Sequence, residues 1–188
     1  MDERLYDFQA PDRFVAGTVG RPGERTFFLQ ARQGRRLISV ALEKQQVQLL
    51  AERMDAMLDE LLRSGHESVI PAAAPVALED NEPLEAPIES EFRVVALAIG
   101  WDEDDAHVVL EARSTPDDDD DLDDPGAERD DAVEAPQLLR VRLEPGRARA
   151  FVRRALSLVA AGRPSCPFCS LPLDPDGHVC PRANGYRR

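Results

Sequence analysis

The sequence predicts an α+β fold: two tandem βββα units packed as a pseudo-twofold domain of antiparallel sheet, with a small zinc-binding loop appended at the C-terminal end. Three observations lead there. The order strand, strand, strand, helix is legible twice; the two stretches superimpose at constant numerical offsets; and every cysteine falls within residues 166–180, in the run "CPFCSLPLDPDGHVC".

In the first unit, residues 13–65, the segments "RFVAGTVG", "RTFFLQAR" and "RLISVALE" are β-branched or aromatic runs separated by turn glycines at Gly20, Gly23 and Gly34. A helix is expected next. Val47, Leu50, Ala51, Met54, Met57, Leu58 and Leu61 recur at the spacing that keeps one apolar stripe on one face, and Gly65 stands where a helix C-terminal cap belongs. Residues 66–91 carry Pro71, Pro75, Pro83 and Pro87 among acids, which predicts a linker with little regular structure.

The second unit, residues 92–163, repeats the order with "FRVVALAIGW", "AHVVLEARS" and "QLLRVRLE", then a helix "PGRARAFVRRALSLVAAG" opened by Pro145 and closed by Gly162. At an offset of 81, Phe27, Phe28, Leu29, Ala31 and Arg32 fall on Val108, Val109, Leu110, Ala112 and Arg113. At an offset of 101, Ile38, Val40 and Leu42 fall on Leu139, Val141 and Leu143, and the helix stripe Val47, Leu50, Ala51, Met54 falls on Ala148, Phe151, Val152, Ala155. The change of offset places an acidic insertion, residues 115–136, between the second and third strands of the second unit. Each unit has one apolar sheet face and one amphipathic helix, and it can bury them only against its twin. The duplicated body therefore spans residues 1–163 and the tail residues 164–188.

The formal charge of −13 over 188 residues is concentrated. Residues 116–136 hold eleven acids against the single base Arg129, so the rest of the chain is nearly balanced. Five consecutive aspartates, residues 117–121, lack the alternate spacing and turn glycine of a calcium loop, and a solvated, disordered loop is the expectation. Lys44 is the only lysine among the basic residues. The start, "MDERLYDFQA", is acidic where a secretory leader is basic and then apolar, and no apolar run approaches the roughly 20 residues that span a bilayer. A cytoplasmic protein without a membrane partner is expected.

The spacing C-x2-C-x8-H-x-C in residues 166–180 points to metal. Zinc takes four soft or borderline ligands at tetrahedral corners, and Cys166, Cys169, His178 and Cys180 supply a closed Cys3His set, which favours a structural Zn2+ over a catalytic one. The C-x2-C turn brings two thiolates together, and His178 and Cys180, two apart in an extended segment, point the same way. A redox C-x2-C remains the alternative chemistry. Three cysteines in a reducing compartment do not make a disulfide framework.

The ending "CPFCSLPLDPDGHVCPRANGYRR", taken with the duplicated body, resembles an uncharacterised actinobacterial family of unknown function, sometimes filed as a repeat protein. The resemblance covers nearly the whole chain, without departure at the four candidate ligands. It implies a small cytoplasmic protein with no established activity.

Strand alternation singles out one more surface. With Leu139, Val141 and Leu143 inward, Arg140 and Arg142 point outward, and the same alternation puts Phe28, Gln30 and Arg32 with Val109, Glu111 and Arg113 on that face. Phe28, Arg32, Arg113, Arg140 and Arg142 are thus candidates for a ligand or partner face, suited to an acidic peptide, a phosphorylated ligand or single-stranded RNA, unless the linker covers them. His66 and His107 stand apart from any other metal-ligating or nucleophilic residue and read as ordinary surface or edge positions. No Gly-rich phosphate loop, G-x-S-x-G elbow or H-E-x-x-H motif occurs. The leading expectation is a non-enzymatic interaction or adaptor protein for a protein or nucleic-acid partner. The rivals are a small enzyme acting on a phosphorylated or thiol metabolite, and an RNA- or DNA-binding protein.

Overall fold

A computed structural model describes residues 3–21, 23–66, 69–115 and 135–161. The described residues build two four-stranded sheets and two helices, in the order β1 (Arg4–Phe8), β2 (Arg13–Val19), β3 (Thr26–Gln33), β4 (Arg36–Leu42), α1 (Lys44–Arg63), β5 (Ser90–Arg93), β6 (Ala96–Asp102), β7 (His107–Arg113), β8 (Gln137–Leu143) and α2 (Pro145–Ala160). A single 3-10 turn, Val76–Leu78, lies between α1 and β5. The class is α+β, as the patterning predicts.

The first sheet has the order β2-β3-β4-β5 and the second β1-β8-β7-β6. Each contains an antiparallel three-strand meander in the expected place, because alternating apolar residues there bury one face. The registers agree between the sheets: Arg13 opposes Arg32 where Ala96 opposes Arg113, and Phe27 opposes Leu42 where Val108 opposes Leu143.

Neither sheet is purely antiparallel, which corrects the expectation. A fourth strand joins each meander in parallel: β1 runs beside β8, with Phe8 opposite Val141, and β5 runs beside β4, with Ser90 opposite Ser39. These strands are too short to stand as hairpins, and each closes a meander edge distant in sequence, where unpaired backbone groups would otherwise face solvent.

One apolar cluster unites both sheets and both helices. The inward sheet residues include Phe14, Leu29, Val40, Leu110 and Val141, and the helices add Met54, Leu58, Phe151 and Ala155, all buried. Phe14 of β2 stacks on Phe151 of α2 with ring centroids 4.9 Å apart, so α2 seats against the edge of the first sheet. Helix α1 ends in a reverse turn at Gly65, whose φ of 105° is open to glycine at little cost; the amide of His66 then donates to the carbonyl of Leu61 at 3.2 Å. The two helices are tied by Arg149, which is 5% exposed and donates to Asp55 at 2.6 Å, to Asp59 at 2.7 Å and to the carbonyl of Pro71 at 3.1 Å.

Candidate functional site

The two sheets do not present one common face, so the residues grouped by strand alternation separate into two surfaces with different fates. On the first sheet the outward side is covered by the chain itself. Residues 69–89, expected to be loosely structured, form a strap that passes α2 at Pro71, Pro75 and Leu78 and crosses this face through residues 80–85.

Arg13, Arg154, Gln30 and Leu84 make the attachments that set the strap's course. Arg13 of β2 donates to Asp80 through Nε at 2.6 Å and through Nη2 at 2.9 Å, and also to the carbonyls of Glu82 and Pro83. Arg154 of α2 reaches the same Asp80 carboxylate at 2.8 Å while its Nε donates to the carbonyl of Ala16 at 2.8 Å. Gln30 exchanges two hydrogen bonds with the backbone of Glu85, at 2.9 and 2.8 Å. Leu84 packs onto Gly17, where an added Cβ would lie 2.4 Å from Leu84 Cγ. Hydrogen bonding from Arg13 holds the Asp80 carboxyl below the ordinary aspartate range and raises the Arg13 guanidinium; burial lowers that of Arg154.

Phe28 is consequently buried and Arg32 is engaged by Glu85 at 3.0 Å, so neither is open to a partner. For these two residues the linker covers the face, the outcome that strand alternation alone left open.

The second sheet keeps its outward side clear of that strap. Arg113 and Arg140 both pair with Glu111, at 2.8 and 2.7 Å, and Arg142 pairs with Asp105 at 2.9 Å and with Asp102. Hydrogen bonding from Arg113, reinforced by Arg140, keeps the Glu111 carboxyl below the ordinary glutamate range. Asp102 is lowered chiefly by the backbone amide of Asp105, with Arg142 adding to it. Arg113, Arg140 and Arg142 lie among three carboxylates, Glu111, Asp102 and Asp105, with Glu111 shared by two of the arginines, so the face is a charge-paired lattice rather than a basic patch. Gly100, at the register position in β6 that Gly17 holds in β2, has nothing among the described residues within 4 Å of an added Cβ.

Beside this face, a groove of about 440 Å³ runs between α1 and the free edge of β6. Gln46, Leu49, Leu50 and Arg53 line it from the helix, and Val95, Leu97, Ala98 and Ile99 from the strand side. Sequence reading missed this groove, since its residues sit in two elements that read as ordinary core stripes. Exposed Leu49 and Val95 were the only available signal.

Cys166, Cys169, His178 and Cys180 lie outside the described residues, as does the acidic stretch 116–134. Among the described residues no group of three His, Cys, Asp or Glu side chains could hold a metal ion. His66 meets Trp101 edge-on at 6.1 Å, and His107 Nδ1 lies 2.5 Å from the carbonyl of Asp105. No described helix is long and apolar enough to cross a membrane.

Fold and surface together define an α+β protein whose described residues build two mixed sheets and two helices, with one sheet face strapped by the chain and the other uncovered by the described residues. The chain belongs to the family described as "Protein of unknown function (DUF3090)", whose model matches residues 6–180. No curated protein and no solved structure matches it.

Proposed function

We propose that this is a non-enzymatic interaction protein of the cytoplasm, an adaptor whose open second-sheet face receives a protein partner and whose tail carries a structural zinc ion. The observation that carries the reading is the contrast between the two sheet faces. On the first, arginines, a glycine socket and a buried glutamine together hold an extended acidic polypeptide. On the second, Gly100 and Arg113 stand at the register positions of Gly17 and Arg32, beside Arg140 and Arg142, and among the described residues nothing lies within 4 Å of a Cβ added at Gly100. Counter-ions already in place on Arg140 and Arg142 favour a polypeptide over a phosphate-bearing ligand, because a phosphate would have to displace them. For the same reason the adaptor reading is preferred to an enzyme of phosphorylated or thiol metabolites.

The body is read as a duplicated βββα unit, supported by the matched registers and by helices that both start at the 101-residue offset, Lys44 and Pro145. Zinc in the tail is supported by the four-ligand spacing alone, with Cys166, Cys169, His178 and Cys180 as its shell.

Two measurements test this reading. Elemental analysis of protein purified without chelator is expected to give about one zinc per chain, weakened in Cys180→Ser, as a closed four-ligand site requires. A photo-crosslinking residue at Val109 is expected to yield a discrete protein adduct in cells that is lost with Arg140→Glu, while the same probe at Glu60 yields none. Adducts to nucleic acid, with retention falling steeply with salt, would replace the protein partner with RNA or DNA.

A further inference from the structure

The groove beside the second sheet has a counterpart beside the first, and seven lining positions correspond between the two. The counterpart is lined by Arg147, Ala150, Phe151 and Arg154 of α2 and by Asp12, Arg13, Phe14 and Val15 at β2. At the 101-residue helix offset these α2 positions are those of Gln46, Leu49, Leu50 and Arg53; at the β2-to-β6 register Asp12, Phe14 and Val15 are at the positions of Val95, Leu97 and Ala98, while Arg13 is at that of Ala96, outside the second groove's lining. Their states differ. Leu78 and Asp80 of the strap enter the first groove and leave about 60 Å³, whereas the second retains about 440 Å³.

What fills the first groove is the segment that leaves α1. It departs at Gly65, buries Ile70, sets Leu78 against the start of α2 and brings Asp80 onto Arg154. The segment that leaves α2 is residues 162–188, a length of chain comparable to the strap. It also carries the same residue types in the same order, prolines first and then a leucine followed by acids: "PSCPFCSLPLDPD" against "PAAAPVALEDNE". Arg53, at the position of Arg154, is exposed and has no hydrogen bond or ion pair among the described residues.

We infer that residues 162–188 dock along α1 into the groove between α1 and β6, with Leu171 or Leu173 taking the place that Leu78 takes in the other half and Asp174 meeting Arg53. The inference goes beyond the adaptor reading and does not depend on it, since it holds whether or not the open sheet face recruits a partner. If zinc binds the tail, its ligand pairs bracket residues 170–177, and the metal would present the docking stretch as a closed loop.

Hydrogen exchange of the full-length protein tests this directly. Amides of residues 170–177 are expected to be protected in the wild type. Leu49→Asp and Arg53→Glu, both exposed positions whose change leaves the core intact, are each expected to speed that exchange by about tenfold or more while leaving the strap, residues 69–89, unchanged. Tail amides exchanging at unprotected rates in the wild type, or unmoved by both substitutions, would overturn the proposal. So would protection that disappears on dilution together with a dimer-to-monomer change in mass, which would assign the groove to a second copy.

Discussion

Leu84 sits so closely over Gly17 that a methyl group on the glycine would meet Leu84 Cγ at 2.4 Å and Leu84 Cδ2 at 2.5 Å. The backbone of Gly17 needs no unusual conformation, so the requirement for glycine is one of space. Gly17→Ala should push the leucine and the strap outward and cost about 2 kcal/mol, in the range of overpacked cores. Gly100→Ala, at the same register in the second sheet with open space before it, should change stability by less than about 0.5 kcal/mol. Urea denaturation of both variants checks the pair, and equal losses would refute the socket.

Asp80 is the ionic anchor of the same strap. Its carboxyl is held below the ordinary aspartate range, mainly by the hydrogen bond from Arg13, so the folded state binds its proton less tightly than the unfolded chain does. The resulting stability is present above the unfolded value, near pH 4, and is lost as the pH falls through the folded value. Exchange of the strap amides should therefore accelerate below about pH 4, before the sheets open. Asp80→Asn should weaken the wild type by about 2 kcal/mol at neutral pH, typical of charge-assisted hydrogen bonds, and remove this share of the acid dependence.

The balance of charge on the second face makes a prediction of opposite sense. Glu111 pairs with both Arg113 and Arg140, and Asp102 and Asp105 pair with Arg142, so three carboxylates balance three guanidiniums. Glu111→Gln combined with Asp102→Asn should release an arginine cluster and give retention on heparin resin that the wild type lacks, eluted by moderate salt. Unaltered retention in the double variant would mean that the arginines find other partners.

Both meanders and both helices are legible in the sequence because their signal is local: alternation in Phe27, Leu29 and Ala31, and a 3.6-residue period in Val47, Leu50, Ala51 and Met54. What escapes it depends on distance along the chain. β1 shows only Tyr6 and Phe8 as inward residues, and its partner β8 begins at Gln137, so no local pattern announces the pairing. The linker reads as loose because its prolines and acids are recognised by arginines far away in sequence, Arg13, Arg32, Arg149 and Arg154 among them. The arginine face was half legible for a related reason. Alternation orients Arg140, Arg142 and Glu111 outward but does not give the pairing of Glu111 and Asp102 with the arginines, which changes what the surface can bind.

Arg149 is the clearest case of a residue that patterning hides, since it occupies a helix otherwise read by its apolar stripe. It is almost fully buried, and its guanidinium joins Asp55 and Asp59 of α1 to the first turn of the strap at Pro71. Removing it would leave two carboxylates without their buried cation and a carbonyl without its donor, so Arg149→Ala should cost about 3 to 5 kcal/mol. Arg149→Lys should recover little, because one ammonium cannot match the planar fork that serves three acceptors on two elements. Asp55 and Asp59 are about half exposed, so Asp55→Ala alone should cost only about 1 kcal/mol, with Asp59 keeping the arginine paired. Thermal melts of the three variants check the order: alanine worst, lysine close behind, and the single aspartate mildest. A lysine variant as stable as the wild type would show that charge alone, without fork geometry, ties the helices together.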